Sequence, residues 1–223
     1  MPILVRGGVS GLDLEVGEGL RKQAHVHIAT YPGNNYAYSG FTGTIGAALA
    51  ANSEVLQFRF LSGTKTWCIV RKVKFAGMGI VAVATAAGPL GFDLFPARAW
   101  TVAGSGGTRI AVSGDNLQRE TALANSQVND LGIATTGALT VGTKTLDANA
   151  QGGVQGGIGT GAVTIYGSTS VIAPNFLLGG DDGHGYLKLA NQEGFVIRTS
   201  HIGPAALTYV ARFCIEWSEV TDE

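Results

Sequence analysis

The histidines and one acidic loop are the residues whose spacing could build a metal site. His25 and His27 are two positions apart, so on a strand both side chains would project from one face, and His184 or His201 could supply a third ligand. The run 181–185 (DDGHG) offers carboxylates and a glycine turn that suit Ca²⁺, but it lacks the calcium-loop pattern. Solvent-facing histidines and a solvated turn are the commoner arrangements, so no metal site is predicted.

Two glycine-rich runs are compared with phosphate-binding loops. Residues 157–162 (GIGTGA) fit the dinucleotide pattern G-x-G-x-x-G/A, which needs a strand before it and a helix N-terminus after it. Here the β-branched run 163–165 follows instead. Residues 104–108 (GSGGT) lack the lysine of a phosphate loop. Both runs are interpreted as turns or surface loops, and no cofactor is predicted.

No catalytic constellation is found in the sequence. The nucleophile-elbow pattern G-x-S-x-G is absent, and neither Cys68 nor Cys214 has a motif-like histidine neighbour. Glu193 and Glu216 are candidates for a carboxylate pair of the kind that cleaves glycosides, but any β protein contains such pairs. The chain is therefore predicted to have no catalytic residues and not to be an enzyme.

The tryptophans and cysteines have a functional and a structural interpretation. Trp67, Trp100 and Trp217 could stack on sugar rings, but each lies in an alternating strand-like run, which favours core packing. Cys68 and Cys214 also lie in strand-like runs and are interpreted as small buried hydrophobes. A bridge between the two cysteines is left open.

The composition indicates an ordered β protein with many turns. Glycine supplies 34 of the 223 residues, roughly twice its average share, and the charged fraction is only 14%. The net charge of −1 gives no basic excess for binding nucleic acid, and the basic run 71–74 is interpreted as part of a strand. A near-neutral, apolar-rich surface favours association with other proteins.

No leader or membrane span is predicted. The first residues have no long apolar stretch, and the longest apolar tract, 77–91, is interrupted by glycines and by Pro89. The protein is therefore expected to be soluble, to be made in a cytoplasm and to have no membrane partner.

Short alternating runs separated by turn signals predict about ten strands, and hence an all-β fold of the β-sandwich or jelly-roll type. The best candidate for a short helix is 44–52, and 151–161 is predicted to be a glycine-dense loop. Residues 1–24 are predicted to form a glycine-rich N-terminal arm, and residues 25–223 a single β-sandwich domain.

Alternation assigns faces within the predicted strands. In 55–60 the apolar residues share one face, and Gln57 and Arg59 take the other, as in a strand with one solvated side. In 67–75 Arg71 falls on the same face as Val73 and Phe75. The last run, 207–220, has one apolar face, formed by Tyr209, Ala211, Phe213, Ile215 and Trp217. Pro96 within 92–102 predicts an edge strand or a bulge.

Several stretches together resemble a family of tailed-bacteriophage virion structural proteins that is common in environmental phage genomes. They are RGGVSG (6–11), AALAANSEVLQFRF (47–60), FDLFPARAWTVAGSGGT (92–108), DLGIATTGALTVGTKTLDA (130–148), LKLANQEGFVIR (187–198) and FCIEWSEV (213–220). One departure is the order Asn191-Gln192, where the family is expected to have Gln-Asn. The resemblance implies a non-enzymatic virion component and carries over no catalytic residues.

The resulting expectation is a capsid decoration, or cement, protein that binds and stabilises the phage head shell. Its partners would be the major capsid protein and further copies of itself, with a trimer as the expected state. Its location would be the virion, assembled in the host bacterial cytoplasm. Residues 3–16 of the arm are the candidate shell contact, by strand addition.

Two alternatives remain at this stage. The first is a tail or fibre-associated structural protein of the same phage class. The second is a carbohydrate-binding or carbohydrate-cleaving module, which would present exposed tryptophans beside paired carboxylates in a groove.

Overall fold

The computed structural model describes residues 34–63, 65, 67–110, 126, 128–160, 175–179 and 186–220, together with two N-terminal strands. Within these residues there are fourteen strands and no helix. The strands are β1 (Ile3–Arg6), β2 (Asp13–Val16), β3 (Asn34–Phe41), β4 (Glu54–Phe60), β5 (Trp67–Ala82), β6 (Gly88–Val102), β7 (Thr108–Ile110), β8 (Val128–Ile133), β9 (Thr143–Leu146), β10 (Gly152–Ile158), β11 (Asn175–Leu178), β12 (Leu187–Leu189), β13 (Glu193–Thr199) and β14 (Thr208–Val220).

The chain divides into two units, Met1–Pro32 and Gly33–Glu223. In the first unit β1 and β2 form an antiparallel hairpin in which Ile3 pairs with Val16. The predicted boundary between residues 24 and 25 lies outside the described residues, and the glycine-rich arm stays a prediction.

In the second unit two antiparallel sheets form the fold. The seven-stranded sheet has the order β10-β6-β13-β4-β8-β7, with β9 also paired to β6. The five-stranded sheet has the order β11-β5-β14-β3, with β12 also paired to β5. The predicted all-β class and its sandwich character are confirmed, whereas the jelly-roll connectivity stays a prediction.

One hydrophobic core lies between the inner faces of the two sheets. Phe58 of β4 meets Trp217 of β14 edge to face, with ring centroids 5.2 Å apart, and Phe75 of β5 lies 5.3 Å from Phe92 of β6. Such aromatic pairs contribute about 0.5–1.5 kcal/mol beyond simple burial. The predicted apolar face of the last strand is confirmed, because its alternate residues from Tyr209 to Trp217 are at most 1% exposed.

A β-bulge in β5 reverses the faces that simple alternation assigns. The register against β14 shifts at Arg71, so this residue has no directly opposite neighbour. As a result Val70 and Val73 both lie in the core, while Arg71 and Lys72 between them are half-buried. The predicted shared face of Arg71 and Val73 is therefore wrong, since one extra residue in a strand flips every side chain that follows.

Pro96 lies in a strand that has neighbours on both sides. β13 flanks β6 along one side, while on the other side β10 pairs with residues 88–94 and β9 pairs from Ala97 onward. Pro96 falls between these two partners, and its carbonyl accepts a hydrogen bond from the Asp147 amide. The predicted edge strand is wrong, because proline here needs only a local gap in the ladder and not an open edge.

Residues 44–52 do not form the predicted helix. The Ile45 amide donates to the Tyr209 carbonyl at 2.7 Å, and the Gly46 amide donates to the Thr136 carbonyl at 2.9 Å. Amides bonded to neighbouring strands are not available for helical hydrogen bonds, so tertiary pairing overrides the local alanine-rich composition. Among the described residues no helix is long and apolar enough to cross a bilayer.

Most of the predicted glycine loop at 151–161 is strand β10. Val154 and Ile158 reach the core and are 5% and 4% exposed. Gly152 lies against the Leu177 carbonyl, where any side chain would overlap with backbone. Glycine is therefore used here for close strand packing rather than for flexibility.

Candidate functional site

The predicted metal-ligand candidates are not brought together in the described structure. His25, His27, His184 and the run 181–185 lie outside the described residues. His201 follows β13 and is half-buried. Across the described ranges, no group of three or more His, Cys, Asp or Glu side chains is placed to hold a metal ion.

The two candidate carboxylates belong to different sheets. Glu193 begins β13, and its carboxylate accepts hydrogen bonds from Arg98 Nη1 at 3.0 Å and from the Ala190 amide at 2.8 Å. Glu216 lies on β14 opposite Lys72 of β5. The pair proposed for glycoside chemistry is therefore split between the layers, and Glu193 stabilises a local turn.

The cysteines differ in environment and are both free thiols. Cys68 faces the core, where burial, and then the negative charge of Glu219, raise its pKa well above the usual value. Cys214 is half-buried, with its Sγ 3.1 Å from Ser39 Oγ. The prediction of a buried hydrophobe is right for Cys68, whereas Cys214 retains solvent contact.

Two of the three tryptophans are core residues. Trp100 and Trp217 are fully buried, and Trp100 packs on the outer face of the seven-stranded sheet in a small apolar cluster with Ala97 and Val196. Trp67 is half-buried, and the Lys188 ammonium lies 3.8 Å from the centroid of its ring. Core packing is thus confirmed for Trp100 and Trp217, and a cation covers one face of Trp67.

The glycine-rich runs differ in structure. In 104–108, Gly106 and Gly107 adopt left-handed backbone angles (φ +80° and +64°), which confirms the predicted turn before β7. In 157–162, the first two residues end β10, and residues 161 and 162 lie outside the described part of the chain.

The main concentration of ionisable groups in the described structure is a buried ionic cluster on the outer face of the seven-stranded sheet. It is supplied by β4, β7, β8 and β9, which are distant in sequence but adjacent in the sheet. Its members are Glu54, Gln57, Arg59, Arg109, Asp130 and Lys144.

Glu54 and Lys144 form one end of the buried ionic cluster. Lys144 Nζ lies 2.9 Å from Glu54 Oε2, and both side chains are at most 2% exposed. The same carboxylate oxygen accepts a hydrogen bond from Gln57 Nε2 at 2.6 Å, and the Lys144 ammonium lies 4.5 Å from the centroid of the Trp100 ring. Burial lowers the pKa of Lys144, and its hydrogen bond and charge contact with Glu54 oppose that shift.

Asp130 and Arg109 form the other end. Arg109 Nη1 donates to Asp130 Oδ1 at 2.5 Å, and the same nitrogen donates to Gln57 Oε1 at 3.3 Å. Gln57 thus links the two ion pairs. Burial raises the pKa of Asp130, and the positive charges of Arg109, Arg59 and Lys144 oppose the shift.

Arg59 anchors the covering layer to the sheet. Its guanidinium Nη1 donates to the carbonyls of Trp100 and Thr101 at 3.4 and 3.3 Å. Arg59 Nε and Asp130 Oδ2 are buried and have no hydrogen-bond partner among the described residues. These two atoms are the points at which the cluster is incompletely satisfied.

Sequence reasoning missed this cluster. Gln57 and Arg59 alternate with apolar residues, which predicts a solvated face, yet they are 0% and 8% exposed. The end of β6, the turn that follows it and β9 lie over that face, and Gly104 is the closest approach, because a side chain there would overlap Gln57 and the Thr140 carbonyl. The available signal was the resemblance between the charged positions of 54–60 and those of 130–144, which pattern analysis of single strands does not connect.

A second buried carboxylate lies near the opposite sheet. Glu219 is fully buried, and its Oε1 accepts hydrogen bonds from Ser126 Oγ at 2.6 Å and from Trp217 Nε1 at 3.1 Å. Ser126 Oγ in turn accepts from the Val128 amide at 3.1 Å. This carboxylate ties the end of β14 to the start of β8 and so joins the two sheets.

No protein-family model, no curated protein and no solved structure matches the chain. The arrangement of charges is therefore judged on its own chemistry. In the buried ionic cluster each carboxylate contacts a cation from another strand, which is the arrangement of an internal tie between layers.

Proposed function

We propose that this protein is a virion structural protein that decorates and stabilises a bacteriophage head shell as a homo-oligomer, and that it has no catalytic activity. A subunit that binds the mature shell stabilises it by its own binding free energy. A symmetric oligomer adds avidity, because several weak contacts then act together.

The observation that carries this proposal is where the phage-like stretches lie. The stretches 92–108, 130–148 and 187–198 supply β6, β8, β9 and β13, which are joined to one another through the seven-stranded sheet. They also supply Asp130 and Lys144 of the buried ionic cluster. The resemblance thus falls on the load-carrying framework and its internal ties, which supports a structural role.

The tryptophan environments disfavour the carbohydrate-binding alternative. A sugar-binding platform needs an exposed aromatic face, and Trp100 and Trp217 are fully buried. The Lys188 ammonium lies over the Trp67 ring. The tail or fibre alternative shares the same structural chemistry and is separated from decoration by experiment.

Immunogold labelling of virions with an antibody to this chain tests the proposal. Gold over the whole head is expected for a decoration protein. Gold at a single vertex would instead establish the tail alternative, and virions without label would overturn both. Binding of the purified protein to heads lacking it, measured by co-sedimentation, provides the second readout.

A further inference from the structure

One end of the sandwich has an uncharged surface. The segments 42–53, 75–92 and 199–211 contain no Asp, Glu, Lys or Arg, although 14% of the whole chain is charged. Their one ionisable imidazole is His201, which is half-buried. These segments include the connections after β3, between β5 and β6, and between β13 and β14, and we name the exposed part of the three segments the apolar end.

The three connections form one continuous surface. The Gly203 amide donates to the Leu49 carbonyl at 2.8 Å, which joins the first connection to the third. The Thr85 amide donates to the Ala205 carbonyl at 3.0 Å, which joins the second to the third. The third connection therefore lies between the other two.

Large apolar side chains are exposed on this surface. Val81 is 59% exposed, Val83 is 37% exposed and Ile202 is 65% exposed. The register of β5 against β14 shifts at Val81, so this residue is outside the regular alternation. Ala48 and Ala206 hold left-handed backbone angles that alanine rarely adopts, so the neighbouring structure fixes these connections in place.

The opposite end of the sandwich has a different character. There Arg98 forms ion pairs with Asp147 and Glu193 at 2.9 and 3.0 Å, and Lys188 lies over the Trp67 ring. The charges of the molecule are thus distributed along its axis, with none among the three segments of the apolar end.

We propose that the apolar end is the surface through which copies of this chain associate with one another. Near the axis of a symmetric oligomer, each residue lies close to its own equivalents in the other copies. A charged residue there would face like charges, whereas the three segments of the apolar end bring none. Val81, Val83 and Ile202 supply the apolar area that such a contact buries.

The overall charge agrees with this occupant. A net charge of −1 produces little long-range repulsion between identical molecules. The assignment rests on the homo-oligomer of the proposed function and deepens it by naming the surface, but it requires no particular position in a virion.

Sedimentation equilibrium over a hundredfold range of protein concentration tests the surface. Wild-type protein is expected to associate, and Val81→Lys and Ile202→Lys are expected to weaken association at least tenfold. Val102→Lys is the matched control, since Val102 is 55% exposed and lies outside the apolar end. A monomeric wild type, or equal weakening by Val102→Lys, would overturn the assignment.

Hydrogen–deuterium exchange on the wild-type protein is the measurement that does not depend on the folding of variants. Exchange in 82–87 and 200–207 is expected to slow when the protein is concentrated. Slowing confined to other segments would contradict the assignment. The co-sedimentation assay separates the two proposals: a protein that associates through this end but ignores phage heads retains the surface and loses the function, and head binding by a wild-type monomer does the reverse for the surface.

Discussion

Lys144 and Glu54 form an ion pair, with Nζ 2.9 Å from Oε2, in which the two side chains are 0% and 2% exposed. Lys144 comes from β9, in the covering layer, and Glu54 comes from β4, in the middle of the seven-stranded sheet. A pair removed from water in this way adds little net stability by itself, because desolvation offsets the attraction between the charges. Its strong effect appears when one partner is removed.

Lys144→Met is expected to destabilise the fold by about 3–5 kcal/mol, because Glu54 would stay buried without its cation. Urea unfolding measures the loss. The matched control is Arg98→Met, since the Arg98 side chain is 54% exposed and its ion pairs are worth less than about 1 kcal/mol. Equal losses in the two variants would show that burial of the Lys144 pair has no special role.

Gly104→Ala is expected to destabilise the protein by roughly 1–3 kcal/mol, because the added methyl group would overlap the Thr140 carbonyl and the Gln57 amide. Gly137→Ala is the control, since nothing lies near its Cβ position, and it should be neutral or slightly stabilising. Thermal unfolding of both variants decides the matter. A neutral Gly104→Ala would mean that the covering layer is not closely packed on the cluster.

Tyr209→Phe is expected to stabilise the protein at neutral pH by roughly 1 kcal/mol. The Tyr209 hydroxyl is buried and has no hydrogen-bond partner among the described residues, so its removal relieves an unpaired polar group. The ring remains in its edge-to-face contact with Phe92. Tyr186→Phe, at a residue 56% exposed, should change the unfolding free energy by less than about 0.5 kcal/mol. A destabilised Tyr209→Phe would reveal a partner for the hydroxyl.

The same tyrosine predicts a loss of stability in alkali. Burial raises the pKa of Tyr209 to about 12, from 10.0 for a free tyrosine. The folded state therefore keeps its proton longer than the unfolded state, and stability falls as pH rises from 10 to 12, by about 3 kcal/mol. Tyr209→Phe lacks this contribution, so the difference in unfolding free energy between variant and wild type should widen over that range. A constant difference would contradict the shifted pKa.

Deleting residues 2–20 removes both strands of the N-terminal hairpin. If the arm makes the shell contact by strand addition, the deletion should abolish co-sedimentation with phage heads. The midpoint of thermal unfolding of the remaining unit, Gly33–Glu223, should stay unchanged. Retained head binding would refute the contact, and a lowered midpoint would show that the hairpin serves the fold instead.

Local pattern determined much of the framework. Strict alternation from Tyr209 to Trp217 and the run around Phe58 predicted the inward faces of β14 and β4, because a strand presents every second residue to the same side. The low charge and high glycine content likewise predicted an all-β sandwich. These features depend on residues within a few positions of one another, so the sequence alone carries them.

Tertiary structure decided the rest. The unpaired Arg71 reverses the faces of β5, a change set by its register with β14 and invisible in its own alternation. Gln57 and Arg59 resemble solvated residues until β9 and the end of β6 cover them. Pairing between distant segments also overrode the alanine-rich tendency of 44–52 to form a helix. Which strand lies over which face depends on contacts across the whole chain, and local periodicity does not encode those contacts.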